Sequence, residues 1–205
     1  LGLWLRDGIT GVGTITFIDP EGGTFGALGH GVNDLSAGAL LPVEGGSICR
    51  AQIVDVTPGH PGEPGELAGH IDAGAVIGRI DRNTNSGLFG VISGGALSGE
   101  AVPVGSASEI ENGAATILAC VAGRETREYD VEITRTGVPA GDGRDLTVRV
   151  TDPALLSLTG GIVQGMSGSP ILQNGRLVGA VTHVLVSDPT RGYGIFIENM
   201  LRAAA

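Results

Sequence analysis

Gly160-Gly161-Ile162-Val163-Gln164-Gly165-Met166-Ser167-Gly168-Ser169-Pro170-Ile171 is the most informative segment of the chain. A serine flanked by glycines in a tight turn, leading into a strand, is what acyl-transfer chemistry needs. Gly165 and Gly168 let the backbone fold so that successive N–H groups point inward. Such donors can hold an oxyanion while the Ser167 hydroxyl attacks a carbonyl. The plainer reading is a glycine-rich β-turn that contains two serines. The G-x-S-x-G elbow of α/β-hydrolases does not fit, because position 169 is serine. That elbow also leads into a helix, whereas here a proline and a hairpin follow.

The hairpin is Gln173-Asn174-Gly175-Arg176. Asn-Gly supplies the two positive φ values of a type I′ turn. Further out, turn signals recur at Asp19–Gly23, Glu44–Gly46, Pro58–Glu66, Asp81–Gly87, Pro139–Asp145 and Ser187–Gly192. Between them lie short β-type runs: Gly11–Ile18, Ser47–Val56, Ala75–Asp81, Leu88–Ile92, Ala114–Val121, Glu128–Thr134, Asp145–Val150 and Leu177–Val186. Two helices are predicted. One starts at Asp152-Pro153, an N-cap carboxylate followed by proline at the first helical position. The other is Ile197–Ala204 at the C-terminus. Longer helical periods are missing, which argues against βαβ architectures. The expectation is an all-β sandwich, barrel or pair of barrels, with a boundary near Asp81–Gly95 or in Gly99–Gly113, approximately 95–113.

Composition agrees. There are 37 glycines in 205 residues, against a usual ~7%; with no collagen period they read as punctuation between strands. Only 3% of residues are aromatic, so the core must be aliphatic. All 12 basic residues are arginine, which removes Walker A loops, Schiff-base lysines and Ser-Lys dyads. A net charge of -10 argues against nucleic acid or anionic lipid as a partner. No apolar run is long enough for a membrane span. Leu1-Gly-Leu-Trp-Leu is too short for a signal peptide and reads as a cut point. Cys49 and Cys120, both in apolar runs, are read as buried free thiols rather than a bridge.

Ser167 needs a base, and there are four histidines. His30 follows a predicted strand and stands between Gly29 and Gly31, a strand-end imidazole with backbone freedom on each side. It lies far before Ser167, which suits a two-barrel protease with one catalytic residue per barrel. The spelling G-x-S-G-(G/S)-P is that of chymotrypsin-like serine proteases. His60 and His70 flank Glu63 and Glu66 in a Pro/Gly-rich segment without zincin helix spacing, so a solvated loop is expected and no metal or cofactor. His183 lies on the apolar run after the hairpin, where burial is the default. In a chymotrypsin-like layout, though, Thr182, His183 and Val184 line the substrate groove, and His183 could read the P1 side chain.

The chain resembles the SpoIVB peptidases (stage IV sporulation protein B). The matching residues are Asp19-Pro20, Phe25–His30, Tyr129–Ile133, Val150–Pro153 with Leu155-Leu156, and Thr159–Ile171. They continue through Gly179–His183, Asp188–Thr190, Gly192–Gly194 and Ile197-Glu198. The resemblance implies a chymotrypsin-like double β-barrel with a short internal helix and a C-terminal helix. It implies Ser167 as nucleophile, His30 as general base and Asp152 as third member. Read from the residues alone, Asp152 caps a helix, and Asp72 or Asp81 sits nearer the usual place of an orienting carboxylate. The resemblance also implies a protease domain without its membrane anchor or PDZ domain, exported into the space between mother cell and forespore. There it would cleave a membrane-protein regulator of an intramembrane protease, and itself. The alternatives are a binding or latent module on a protease fold, and an acyl hydrolase of non-peptide substrates.

Overall fold

The computed structural model describes residues 9–34, 38–93, 100–137 and 143–205. The leading Leu1–Leu5 run and part of the expected Pro139–Asp145 turn lie outside the described residues. In chain order the strands are β1 Ile15–Ile18, β2 Thr24–Ala27, β3 Asn33–Asp34, β4 Ala39–Leu40, β5 Gly46–Thr57, β6 Glu66–Thr84, β7 Gly87–Ile92, β8 Gly113–Ala119, β9 Arg127–Thr136, β10 Leu146–Val150, β11 Pro170–Gln173, β12 Arg176–Val184 and β13 Arg191–Phe196. The helices are α1 Pro153–Thr159 and α2 Ile197–Ala204, with one 3₁₀ turn at Ala107–Glu109.

β3 and β4 pair only with each other, and the other strands form two antiparallel bodies. The first is a five-stranded half-barrel sheet in the order β1-β2-β7-β6-β5; the second is a closed barrel, β10-β13-β12-β11-β8-β9. This is the double-barrel chymotrypsin-like fold. Period-2 patterning builds the second barrel. Tyr129, Val131 and Ile133 of β9 point inward, while Glu128 and Asp130 face water. The facing strand β10 does the same with Leu146, Val148 and Val150 inward and Arg149 outward. The resulting core is aliphatic apart from Tyr129 and Phe196.

Asn174 and Gly175 have φ of 52° and 72°, the hairpin turn expected between β11 and β12. Both helices fall where the sequence places them. Two strands were harder to see. β6 extends nine residues before Ala75 because its Glu66–Gly74 portion pairs with β5 in a ribbon bent by bulges, so no clean alternation marks it. β13 begins inside the expected Ser187–Gly192 turn. Its Gly192 and Gly194 look like turn residues but sit where strands meet: a Cβ on Gly194 would lie 2.8 Å from the Ala180 carbonyl oxygen and 2.9 Å from Ile171 Cδ1. Cys49 and Cys120 are free, as expected, but both are half-exposed rather than buried. Burial still pushes the Cys120 thiol up from its ordinary value.

Helix α2 has Phe196 at its N-cap, which offers no side-chain acceptor. Asp145, only 1% exposed, supplies one from just before β10, the strand beside β13. Its Oδ2 accepts from the Phe196 amide at 3.0 Å and from Asn199 Nδ2 at 2.7 Å. Asp145→Ala orphans both donors, so a loss of at least about 2 kcal/mol is expected. The check is the shift in urea midpoint.

Candidate active site

Strand β2 ends at Ala27, and the next two residues turn left-handed: Leu28 at φ 68° and Gly29 at φ 70°. A leucine in that region costs ~1–2 kcal/mol and must be held there. The Leu28 amide donates to the Thr14 carbonyl at 3.2 Å. Its side chain covers Gly13, where a Cβ would come 2.2 Å from Leu28 Cδ2. Gly29 is pressed on the barrel, its absent Cβ 2.9 Å from Thr182 Cγ2 and 3.0 Å from Ile195 Cγ2. The double turn thus lifts His30 out of the first sheet and lays it against β12. His30 Nδ1 is 3.0 Å from the Gly31 carbonyl oxygen. A carbonyl only accepts, so Nδ1 carries the proton and Nε2 is left as the acceptor.

Ser167 comes from the other body. Gly165 at φ 99° and Gly168 at φ 92° bracket it, and Met166 anchors the turn in the core at 1% exposure. The Thr14 amide donates to the Ser167 carbonyl at 2.9 Å, and the buried Thr16 hydroxyl donates to the Gly168 carbonyl at 2.8 Å. These bonds stitch the serine turn to β1, the strand paired with β2, from whose end the histidine loop leaves. The Ser167 hydroxyl donates to the Thr182 carbonyl at 2.9 Å. Next to Thr182, the His183 ring lies 4.8 Å from the His30 ring, tilted by 36°.

The amides of the serine turn alternate. Gln164 donates to the Gly65 carbonyl, Met166 to Val163, Gly168 to Val181 and Ser169 to Met166. Among the described residues, the Gly165 and Ser167 amides donate to no protein acceptor. Two unpaired donors therefore flank the serine side chain. Strand β11 covers one edge of β12 only from Arg176 to Ala180. Beyond it, Thr182, His183 and Val184 pair with β13, and among the described strands no second one continues along their other edge. Thr182 is itself buried, its hydroxyl donating to the Gly143 carbonyl at 2.6 Å, so it can offer a ligand only backbone.

The structure brings Ser167, Gly165, His30, Thr182 and His183 to one seam between the two bodies. Asp152 lies elsewhere. Its Oδ1 accepts from the Ala154 and Leu155 amides at 2.8 and 2.9 Å, and its Oδ2 is 3.5 Å from the Asp130 amide. None of its hydrogen bonds among the described residues reaches an imidazole. Asp72 is exposed and accepts from the Gly74 amide; Asp81 pairs with Arg79 at 3.0 Å. His60 sits in an exposed turn closed by reciprocal backbone bonds with Glu63. His70 is on β6, paired with Gln52, so that part of the segment is strand and not solvated loop. The pairing of His30 with His183 had no signature in the sequence, because nothing local links two residues so far apart.

A glycine-bracketed serine with flanking amides, facing an imidazole across two β-bodies, is the layout of chymotrypsin-like serine peptidases. Residues 1–201 match the model of the family SpoIVB peptidase S55. The chain belongs to this family, and it is accordingly a serine peptidase of the sporulation type, acting on polypeptides. No curated protein matches the chain.

Proposed function

We propose that Ser167 is the nucleophile of this peptidase and His30 Nε2 its general base. The observation that carries the reading is the alternation of amides, which leaves the Gly165 and Ser167 donors on either side of the hydroxyl. In the free enzyme the hydroxyl rests on the Thr182 carbonyl. Attack begins when it turns about its own side-chain bond toward His30. Ser167 Oγ then bonds the scissile carbonyl carbon and His30 takes the proton. The oxyanion sits on the Gly165 and Ser167 amides, and the leaving amine takes the proton back from His30. Water repeats the sequence to release the acid. The substrate adds as an extended strand to the open edge of β12 at Thr182–Val184. No metal or organic cofactor takes part.

The Gly31 carbonyl, on His30 Nδ1, keeps the imidazole in the required tautomer. Asp152, the third member that the resemblance implies, acts in this reading through α1, whose first turn it caps. Two variants separate the roles. Asn caps as well as Asp, so Asp152→Asn is expected to keep its urea midpoint and its activity within about tenfold. Asp152→Ala is expected to lose about 1 kcal/mol. A fall of about 10⁴-fold in kcat for Asp152→Asn alone would instead make it the orienting carboxylate.

The family resemblance supports the finer assignment: an exported enzyme, between mother cell and forespore, that cleaves a membrane-protein regulator of an intramembrane protease and also processes itself. One observation favours a second reading, a latent binding module: the serine hydroxyl is engaged by Thr182. A fluorophosphonate probe decides between them. Stoichiometric labelling at Ser167 supports the peptidase; folded protein that stays unlabelled supports the latent module.

A further inference from the structure

The Pro58–Glu66 turn, PGHPGEPGE, has the composition of a solvated loop, and part of it is: His60, Pro61, Gly62 and Glu63 are exposed. Its backbone, however, is bound to the second body's segments at several points. The Gly59 amide donates to the Thr159 carbonyl at 2.8 Å, and the Gly62 amide to Val186 at 2.8 Å. Then Glu66 and Gln164 form a parallel bridge: the Gln164 amide donates to the Gly65 carbonyl at 2.8 Å, and the Leu67 amide to the Gln164 carbonyl at 2.9 Å. The turn thus holds residues on both sides of the serine turn, Thr159 and Gln164 on one and Val186, just past β12, on the other.

The contact with Gln164 fixes more than position. Gln164 immediately precedes Gly165, whose amide is one of the two unpaired donors. With the backbone amide of Gln164 bonded to Gly65 and its carbonyl to Leu67 of β6, the peptide plane carrying the Gly165 N–H has little freedom to rotate. The side chain of Leu67 lies directly beneath. A Cβ on Gly165 would sit 3.0–3.3 Å from Leu67 Cβ, Cδ1 and Cγ. Leu67 is 3% exposed and belongs to the core of the second body, although β6 is a strand of the first sheet. Core packing alone would ask only for an apolar side chain here. The parallel bridge together with the contact under Gly165 asks for this shape at this place.

We propose that Leu67, on the strand entered from the Pro58–Glu66 turn, is a positioning residue for the oxyanion-binding amide of Gly165. The inference rests on the proposed role of Ser167. Losing one oxyanion donor costs about 10²–10³ in rate, so a donor that is only misaligned should cost less.

The test is the saturation kinetics of fluorophosphonate labelling, since that reagent places a phosphoryl oxygen in the same cradle. Leu67→Ala is expected to lower the maximal labelling rate about 10- to 100-fold. The half-saturating concentration should move less than about threefold, because ground-state binding does not use the amide. Leu67→Met, which keeps the volume, is expected to restore the rate. The ¹⁵N–¹H resonance of the Gly165 amide should move in Leu67→Ala and return in Leu67→Met. Should Leu67→Ala fail to fold, Leu67→Val carries the same test with a smaller defect. Folded Leu67→Ala that labels like the parent overturns the inference, and so does a defect that Leu67→Met shares. If the parent itself is not labelled at Ser167, the proposed role of Ser167 is what fails, and the Gly165 resonance still reads the coupling.

Discussion

Ser167→Ala is expected to lower cleavage of a loosely folded protein substrate by at least about 10⁴-fold, and to abolish the proposed self-cleavage. The stability change should be small by comparison. The hydroxyl makes one hydrogen bond, to the Thr182 carbonyl, worth about 1 kcal/mol. In a chain of this size that is about 2–4 °C in Tm. A rate loss of four decades with so little destabilisation can only be chemical. The neighbouring serine supplies the control. Ser169 is fully buried, and its hydroxyl has no hydrogen-bond partner among the described residues. Ser169→Ala removes a buried polar group that gains nothing from its surroundings, so both rate and Tm should hold or Tm should rise slightly. Undiminished cleavage by Ser167→Ala, measured on purified protein with a dye-labelled casein, would end the mechanism proposed above.

What could be read from the sequence is local, and what could not is the meeting of distant segments. The serine turn, the Asn174-Gly175 hairpin and the Asp152-Pro153 helix start each declare themselves within a few residues, because turn and cap chemistry is set by neighbours. His30 stands between two glycines and could be singled out for that reason. The seam could not be. It is made by backbone from one body lying on backbone from the other, at Thr14, Leu28 and Gly168, and a glycine that permits close approach is spelled like a glycine that turns a loop. Gly65 shows the ambiguity: its absent Cβ would lie 2.2 Å from the Thr57 carbonyl oxygen and 2.5 Å from the Gly59 amide nitrogen. It belongs to a packed crossing, in a segment whose prolines and acids suggested solvent. Asp145 was legible only as part of a turn, because the helix it caps begins more than fifty residues later. The tautomer of His30 was equally hidden, since it follows from one backbone carbonyl.

The seam has its own test in Gly168→Ala, and the expected effect is large on both stability and rate. A Cβ at residue 168 would lie 2.1 Å from the Thr14 carbonyl oxygen, 2.6 Å from the Leu28 amide nitrogen and 3.0 Å from Leu28 Cα. All three are backbone atoms, so no side chain can swing away. The same atoms carry the Leu28–Thr14 hydrogen bond that holds the strained leucine, two residues before His30. Alanine at φ 92° is strained as well, by about 1–3 kcal/mol. Relief requires Thr14 and Leu28 to retreat from the serine turn, which carries the imidazole away from the hydroxyl. A shift of about 1 Å between reacting groups is enough for about 10²-fold in rate. Gly168→Ala should therefore lose at least that much activity at temperatures where circular dichroism still reports folded protein, and its Tm should fall by about 8 °C or more. Gly175→Ala calibrates the strain. It too has a positive φ, 72°, but nothing lies within 4 Å of its Cβ position. It should cost about 1 kcal/mol and leave the rate alone. If the two variants behave alike, the backbone crossing at Gly168 does not set the geometry of the site, and the approach of His30 to Ser167 must be held by something else.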